Sequence, residues 1–311
     1  MNQNLRIRET KDHGRYCVAV RKLPKKTEII TGHPYSFGIT RMASRKTCAW
    51  SLENFETPLQ EGCPHCKEVW YENKSARMKG FRWHHLECKT FQAIHKTNFN
   101  ASYKLLFKTI ARAIILKALE SGLNPKSSGI PVSKSQQAWL EEEAMPVWLS
   151  PEVTWKSFEG LVSNKEALSK RQYGERLKLA EKILKMLAPA VVEFAFKGIP
   201  DPMDYLAECI CRYECNCFGY FNPKTGNQIG SAIIPEISFI NHSCAPNAKV
   251  TYYYIGGAIT VEATSDIPRG GEVNISYCDE RKGRKTRQEY LFKYYHFHCQ
   301  CPKCQSQAKG K

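Results

Sequence analysis

No run of apolar residues in the chain reaches the roughly 18 that a membrane-spanning helix requires. The longest apolar stretch, Met186–Phe196, is interrupted by Pro189 and Glu193. The opening residues, Met-Asn-Gln-Asn-Leu-Arg-Ile-Arg, contain charge and lack the apolar core of a secretory leader, so no signal peptide and no membrane are expected. No internal repeat is visible. Acidic side chains are scarce at both ends: residues 281–311 hold one against 9 basic, and residues 1–96 hold 9 against 18. Core-forming aliphatics are sparse across residues 48–95, which removes the ordinary way of holding such a segment together.

What is present fits a soluble globular protein. The chain has 311 residues, 42% hydrophobic and 24% charged, enough to bury one to three cores. The formal charge of +16 is concentrated at the two ends, and the long middle nets close to zero. A basic surface can attract nucleic acid or an acidic protein face, or it can serve solubility alone. The 14 cysteines without a leader point to a reducing compartment, nuclear and/or cytoplasmic. There, cysteine spacing indicates metal more often than disulfide.

Residues 4–40 read as short strands and turns. Arg15–Val20 has strand composition after a turn at Asp12-His13-Gly14, and Thr27–Ile30 resumes a strand after Pro24. Residues 48–95 hold Cys48, Cys63, Cys66 and Cys88 with His65, His84, His85 and His95, a segment that needs a metal to keep its shape. Residues 100–213 read as helical. Leu105, Leu106, Thr109, Ile110, Ala113 and Ile114 form one apolar stripe ended by Ser121-Gly122. A long amphipathic helix is expected over about 164–187, and Asp201-Pro202 supplies an N-cap and a first helical residue for another. Beyond residue 218 the pattern returns to strands. Gly256-Gly257 between Val250–Ile255 and Ala258–Ala263 predicts a tight hairpin. Glu272–Tyr277 predicts another strand, and Lys285–Phe297 a short helix.

Cys299-x-Cys301-x-x-Cys304 supplies three thiolates where tetrahedral zinc takes four ligands. Cys244 is a candidate for the fourth. The cluster Cys209-x-Cys211-x3-Cys215-x-Cys217 straddles a helix end and a strand, and reads as buried thiols.

Asn241-His242-Ser243-Cys244-x-Pro246-Asn247, then Gly271-Glu272-Val273-x-Ile275-Ser276-Tyr277, then the terminal cysteines stand in the order seen in SET-domain methyltransferases. Asn216-Cys217-Phe218 is similar to that family's Asn-x-Phe. A SET domain split by a cysteine–histidine module and a helical stretch resembles the SET-and-MYND (SMYD) family, in a fungal-type form without the C-terminal helical domain of many animal relatives. That form implies a more open substrate cleft. On the eight-ligand order of a MYND module, Cys48 holds the first position but Ser51 the second, and Glu72 and Ala76 fall at the fifth and sixth. Cys63, Cys66, His84 and Cys88 keep the other site. The resemblance therefore implies one zinc there, with His85 competing with His84 and His65 a bystander, and a second zinc on Cys244, Cys299, Cys301 and Cys304.

The resemblance also implies roles. Tyr277 is the catalytic residue and, with Gly14, Arg15, Asn216, Asn241, His242 and Phe297, binds S-adenosylmethionine. Ser238 and Tyr295 line the pocket. His242 is structural rather than a base. Tyr16 stands where the family often has a second glycine, so either the backbone there is ordinary or cofactor affinity is weakened. The expected fold is α+β: residues 1–47 and 214–280 form a split β-rich SET domain with a pseudo-knot, 48–95 a degenerate MYND-like module, 96–213 a helical insert, and 281–311 a post-SET helix and zinc tail. The expected activity is methylation of a protein lysine, with a lysine-containing protein or peptide as partner, weak nucleic-acid contact through the basic surfaces, and a monomeric state. The alternative is a non-catalytic scaffold for protein or nucleic-acid interaction.

Overall fold

Six-residue strands at Leu5–Thr10 and Gly14–Ala19 open the fold as an antiparallel pair in which Leu5 faces Ala19 and Thr10 faces Gly14. The computed structural model describes residues 3–10, 14–141, 144–222, 224–252 and 256–309. Of the expected turn at residues 12–14, Asp12 and His13 lie outside the described residues. Gly14 has a left-handed backbone, φ 63°, which a residue without Cβ adopts at little cost. The chain divides into two compact units, residues 1–32, 235–253 and 258–311 in one, and 33–234 with 254–257 in the other.

The first unit is mostly strand. A three-stranded antiparallel sheet runs in the order Ala248–Tyr252, Ile259–Ala263, Glu28–Gly32. Tyr252 pairs with Ile259; residues 253–255, which belong to the expected hairpin, lie outside the described residues. The expected strand Glu272–Tyr277 shrinks to Asn274–Ile275, which pairs in parallel with Asn241–His242. The flanking residues bond elsewhere: Val273 N–H donates to Cys17 O at 2.9 Å, and Tyr277 N–H to the His242 ring at 2.9 Å. The segment thus serves several neighbours rather than one ladder. Helix Arg284–Tyr295 ends at His296, whose left-handed φ of 61° turns the chain sharply into the terminal cysteines.

The second unit is built on the helix Ala101–Glu120, packed over a sheet in which Gln228–Ile233 lies between Ser36–Ile39 and Cys217–Phe221. The approach is close. A Cβ on Gly38 would lie 2.7 Å from Thr109 Oγ1, and Ser36 Oγ donates to Thr109 O at 2.6 Å. The apolar stripe is real, but the helix is buried on all sides from Leu105 to Leu116, Lys108 and Arg112 included. The long amphipathic helix begins at Lys170, later than its periodicity suggested. Ser169 caps it reciprocally with Gln172, while residues 165–167 form a separate short turn. Asp201 caps Pro202–Asn216 as expected, accepting from Met203 N–H and Asp204 N–H. Among the described residues no helix is long and apolar enough to cross a membrane.

Candidate active site and metal centres

The polar stretch at Asn241–Asn247 is threaded through its neighbours by side chains as much as by backbone. Ser243 N–H donates to Ile275 O at 3.0 Å. Asn247 clamps the next segment twice: its Nδ2 donates to Glu272 O at 2.8 Å and its Oδ1 accepts from Asn274 N–H at 2.9 Å. Asn241 Nδ2 donates to Arg15 O at 3.0 Å, tying the stretch to the strand that begins at Gly14. The Arg15 guanidinium lies 5.0 Å over the Phe239 ring. Tyr16 is in ordinary strand conformation opposite Arg8, so its replacement of a glycine carries no backbone strain.

His242 is fully engaged. Its Nδ1 accepts the Tyr277 N–H, which assigns the proton to Nε2, and Nε2 lies 3.2 Å from Cys244 Sγ. Burial, with the Arg287 cation nearby, pushes its pKa down to about 4, so the ring is neutral at physiological pH. Tyr277 Oη donates to Ile240 O at 2.7 Å. Around it lie Tyr295, with ring centroids 4.8 Å apart, and His242, itself 6.1 Å from Phe297. Aromatic faces beside a neutral imidazole and a carbonyl oxygen suit a ligand carrying a flat heteroaromatic ring and a cationic sulfur. Asn216 belongs to the other unit, at the end of Pro202–Asn216, where its Nδ2 donates to Val162 O at 2.8 Å and Arg212 O at 2.7 Å.

Cys244, Cys299, Cys301 and Cys304 converge, with all four sulfurs within 4.8 Å of one another. Helix Arg284–Tyr295 holds the set in place. Gln288 accepts Cys299 N–H at 2.9 Å and donates to Cys299 O at 2.7 Å. Arg287, 1% exposed, points Nη2 at Cys304 Sγ, 3.4 Å away. Four thiolates around a dication carry net negative charge, and a buried guanidinium beside them offsets part of it. The donor set and its surroundings fit a structural zinc.

In the other unit, Cys63, Cys66, His84 and Cys88 converge in the same way. Cys63 and Cys66 sit on a tight turn in which Lys67 has φ 56° and donates to Cys63 O at 3.1 Å, while Glu68 N–H points at Cys66 Sγ. His84 and Cys88 lie one turn apart on the helix Lys74–Lys96. His84 Nε2 is 3.4 Å from Cys66 Sγ, and its Nδ1 is 3.1 Å from Glu87 Oε1. Glu87 in turn takes a two-pronged bond from Arg112, at 2.9 and 2.7 Å, and Arg112 Nη1 donates to Phe37 O at 2.8 Å. Burial would raise the Glu87 carboxyl, but Arg112 and His84 outweigh it and hold it below the usual carboxylate range. A carboxylate behind a ligating imidazole fixes its tautomer and orientation, so this Cys₃His set also fits zinc. A cleft of about 250 Å³ lined by Arg77, Phe81, Lys89 and Pro131 reaches Cys88 and gives an ion a way in.

His85 turns away, to Arg82 O at 3.0 Å and Pro125 O at 3.2 Å, and His65 is exposed. Cys48 is buried, and among the described residues it joins no cluster of metal-binding side chains. That half of the module is held by Cys48 N–H on Glu53 O at 3.0 Å, by Trp148 Nε1 on Ala49 O at 3.1 Å, and by Arg45 stacked over Trp70. Cys209, Cys211, Cys215 and Cys217 form no metal cluster among the described residues. Burial pushes Cys209, Cys211 and Cys217 up to about 12. Sequence reasoning misses Arg287, Gln288, Glu87 and Arg112, none of which carries a local signal, and it quotes Asn247 in its motif without giving it a role.

The SET domain family model matches residues 14–278. Histone-lysine N-methyltransferase ASHR1 of Arabidopsis thaliana is 25% identical over 309 residues, covering 94% of this chain and 56% of its own. N-lysine methyltransferase SMYD2 of Homo sapiens is 26% identical over 251 residues, covering 80% and 48% respectively. Histone-lysine N-methyltransferase SMYD3 of Homo sapiens is 33% identical over 111 residues, covering 36% and 25%. The chain spans about half the length, or less, of these curated relatives.

Proposed function

The chain belongs to the SET-domain family, and from that membership we propose that it transfers methyl groups from S-adenosylmethionine to a lysine of a protein substrate, histone or otherwise. The observation that carries the proposal is Tyr277, whose backbone is fixed by His242 and whose hydroxyl is fixed by the Ile240 carbonyl.

The cofactor supplies a methyl on a sulfonium, and the transfer is an in-line displacement that depends on positioning. With its proton committed to Ile240 O, the Tyr277 hydroxyl turns lone pairs toward the incoming amine. Lysine must arrive neutral, against a solution pKa of about 10.4, and a desolvated position beside Tyr277 and the cofactor's sulfonium would lower that value. His242 is not the base, because one ring nitrogen accepts from Tyr277 N–H and the other faces Cys244. The amine proton leaves to solvent. Gly14, Arg15, Asn241 and His242 would present backbone to the cofactor, and Phe297 its ring. Cys244, Cys299, Cys301 and Cys304 would hold one zinc ion and Cys63, Cys66, His84 and Cys88 a second, each bracing its own part of the chain. The concentration of basic charge at the ends supports an acidic protein partner, with weaker contact to nucleic acid. The cysteine usage supports a reducing compartment, nuclear or cytoplasmic.

The test is methyl transfer from labelled cofactor to a lysine peptide array by the zinc-loaded chain, beside calorimetric cofactor binding. Transfer lowered on the order of 10²-fold in Tyr277→Phe, with binding retained, is the expected result. Binding without transfer to any lysine substrate overturns the enzyme reading in favour of a scaffold.

A further inference from the structure

Tetrahedral zinc takes four ligands, yet five cysteines gather at the tail. Cys278 packs, partly buried, against the cluster of Cys244, Cys299 and Cys304. Its Sγ, the Cys244 Sγ and a ring nitrogen of His242 all lie within 4.8 Å of one another. Cys244 therefore belongs to two sets: the four-thiol set, and a triad with His242 and Cys278. It cannot serve zinc and bond Cys278 at once. Cys278 also directly follows Tyr277, whose N–H is held by His242.

We propose that Cys278 is an oxidisable thiol which, under hydrogen peroxide, forms a disulfide with Cys244, removes that ligand from the tail zinc and draws Tyr277 out of place. The chemistry balances with peroxide as the two-electron oxidant. A thiolate of the pair attacks one peroxide oxygen, forming S–O and breaking O–O, with water leaving after proton uptake. The second thiol attacks the sulfenic sulfur, forming S–S and releasing a second water. Two thiols and one peroxide give one disulfide and two waters. Zinc, left with three thiolates, dissociates more readily. Thiol reductant and zinc restore the starting state. Metal-bound thiolates are nucleophilic, which makes Cys244 the entry point, and the exposed side of Cys278 makes it the resolving thiol.

The inference rests on the tail holding zinc, and the test separates the two ideas. The full zinc-loaded chain is counted for zinc, treated with hydrogen peroxide, alkylated, digested and read by mass spectrometry, while a chromophoric chelator follows zinc release. The expected result is two ions before treatment, one released, and peptides linked between Cys244 and Cys278. In Cys278→Ser and Cys278→Ala, checked as folded by their melting curves and zinc content, release slows by about fivefold or more, as for a site deprived of its resolving thiol. Equal release rates in these variants, or links joining Cys244 only to Cys299, Cys301 or Cys304, overturn the role of Cys278. A chain that starts with no tail zinc overturns the zinc reading instead.

Discussion

Replacing Glu87 by Leu tests whether the MYND-like zinc and the helical core are one construction. Glu87 is 4% exposed and serves two partners: the His84 ring at 3.1 Å and the Arg112 fork at 2.9 and 2.7 Å. Removing one member of a buried ion pair strands the other charge, at a cost of about 3–5 kcal/mol. Arg112 is 7% exposed and, among the described residues, keeps only its bond to Phe37 O as a polar partner, so the full range applies. Removing the carboxylate behind a ligating histidine weakens metal binding about 10–100-fold. The two effects come apart in the double variant Glu87→Leu with Arg112→Met. It removes the stranded charge and regains much of the stability. The regain is incomplete, because the Phe37 carbonyl loses its donor at about 1–3 kcal/mol. Zinc affinity stays low in both variants. All six tryptophans lie within residues 33–234, so denaturant unfolding followed by their fluorescence reads this unit selectively. Chelator competition reads zinc affinity. A single-variant loss under about 1 kcal/mol, below the range for a buried pair, or a double variant that recovers zinc affinity, would refute the linkage.

Tyr277→Phe deletes the hydroxyl held by Ile240 O and is expected to lower turnover on the order of 10²-fold. Cofactor affinity, measured by calorimetry, should be almost unchanged. Cys244→Ser should reduce zinc from two ions per chain to one by elemental analysis and weaken cofactor binding about tenfold or more, since the tail carrying Phe297 is anchored there; unchanged affinity would undo that dependence. Asn247→Ala loses both clamp bonds and leaves Glu272 O and Asn274 N–H without them, a destabilisation of about 1–3 kcal/mol. Thermal melting of the zinc-loaded chain reads it, and a melting point equal to that of the parent would show that the clamp is dispensable.

The motifs were legible because their information is local. Cys299-x-Cys301-x-x-Cys304 and Cys63-x-x-Cys66 are spaced by what a turn around one ion requires. The selective loss at Ser51, Glu72 and Ala76 already separated a surviving site from a vanished one. The helix Lys74–Lys96 was not legible, because its buried positions include His84, His85, Glu87 and Thr90, which dilute the apolar period that a helix reading relies on. Lys108 and Arg112 mislead for the same reason. They interrupt an apolar run as solvent-facing residues would, and only their partners Glu68 and Glu87, 40 and 25 residues away, reveal them as core. A buried charge is stable only with its partner in place. A sequence window that holds one member of such a pair therefore sees polarity where the fold has interior. Here the Glu87–Arg112 pair lies directly behind His84, a candidate metal ligand. His84, Glu87, Arg112 and the Phe37 carbonyl form one unbroken run from the cysteine set to the strand Ser36–Ile39, within a single compact unit. Losing the ion would free His84 from its sulfur partners while Glu87 and Arg112 stayed paired. The strand should therefore survive zinc removal better than it survives Glu87→Leu, an ordering that a module held together by its metal alone would reverse.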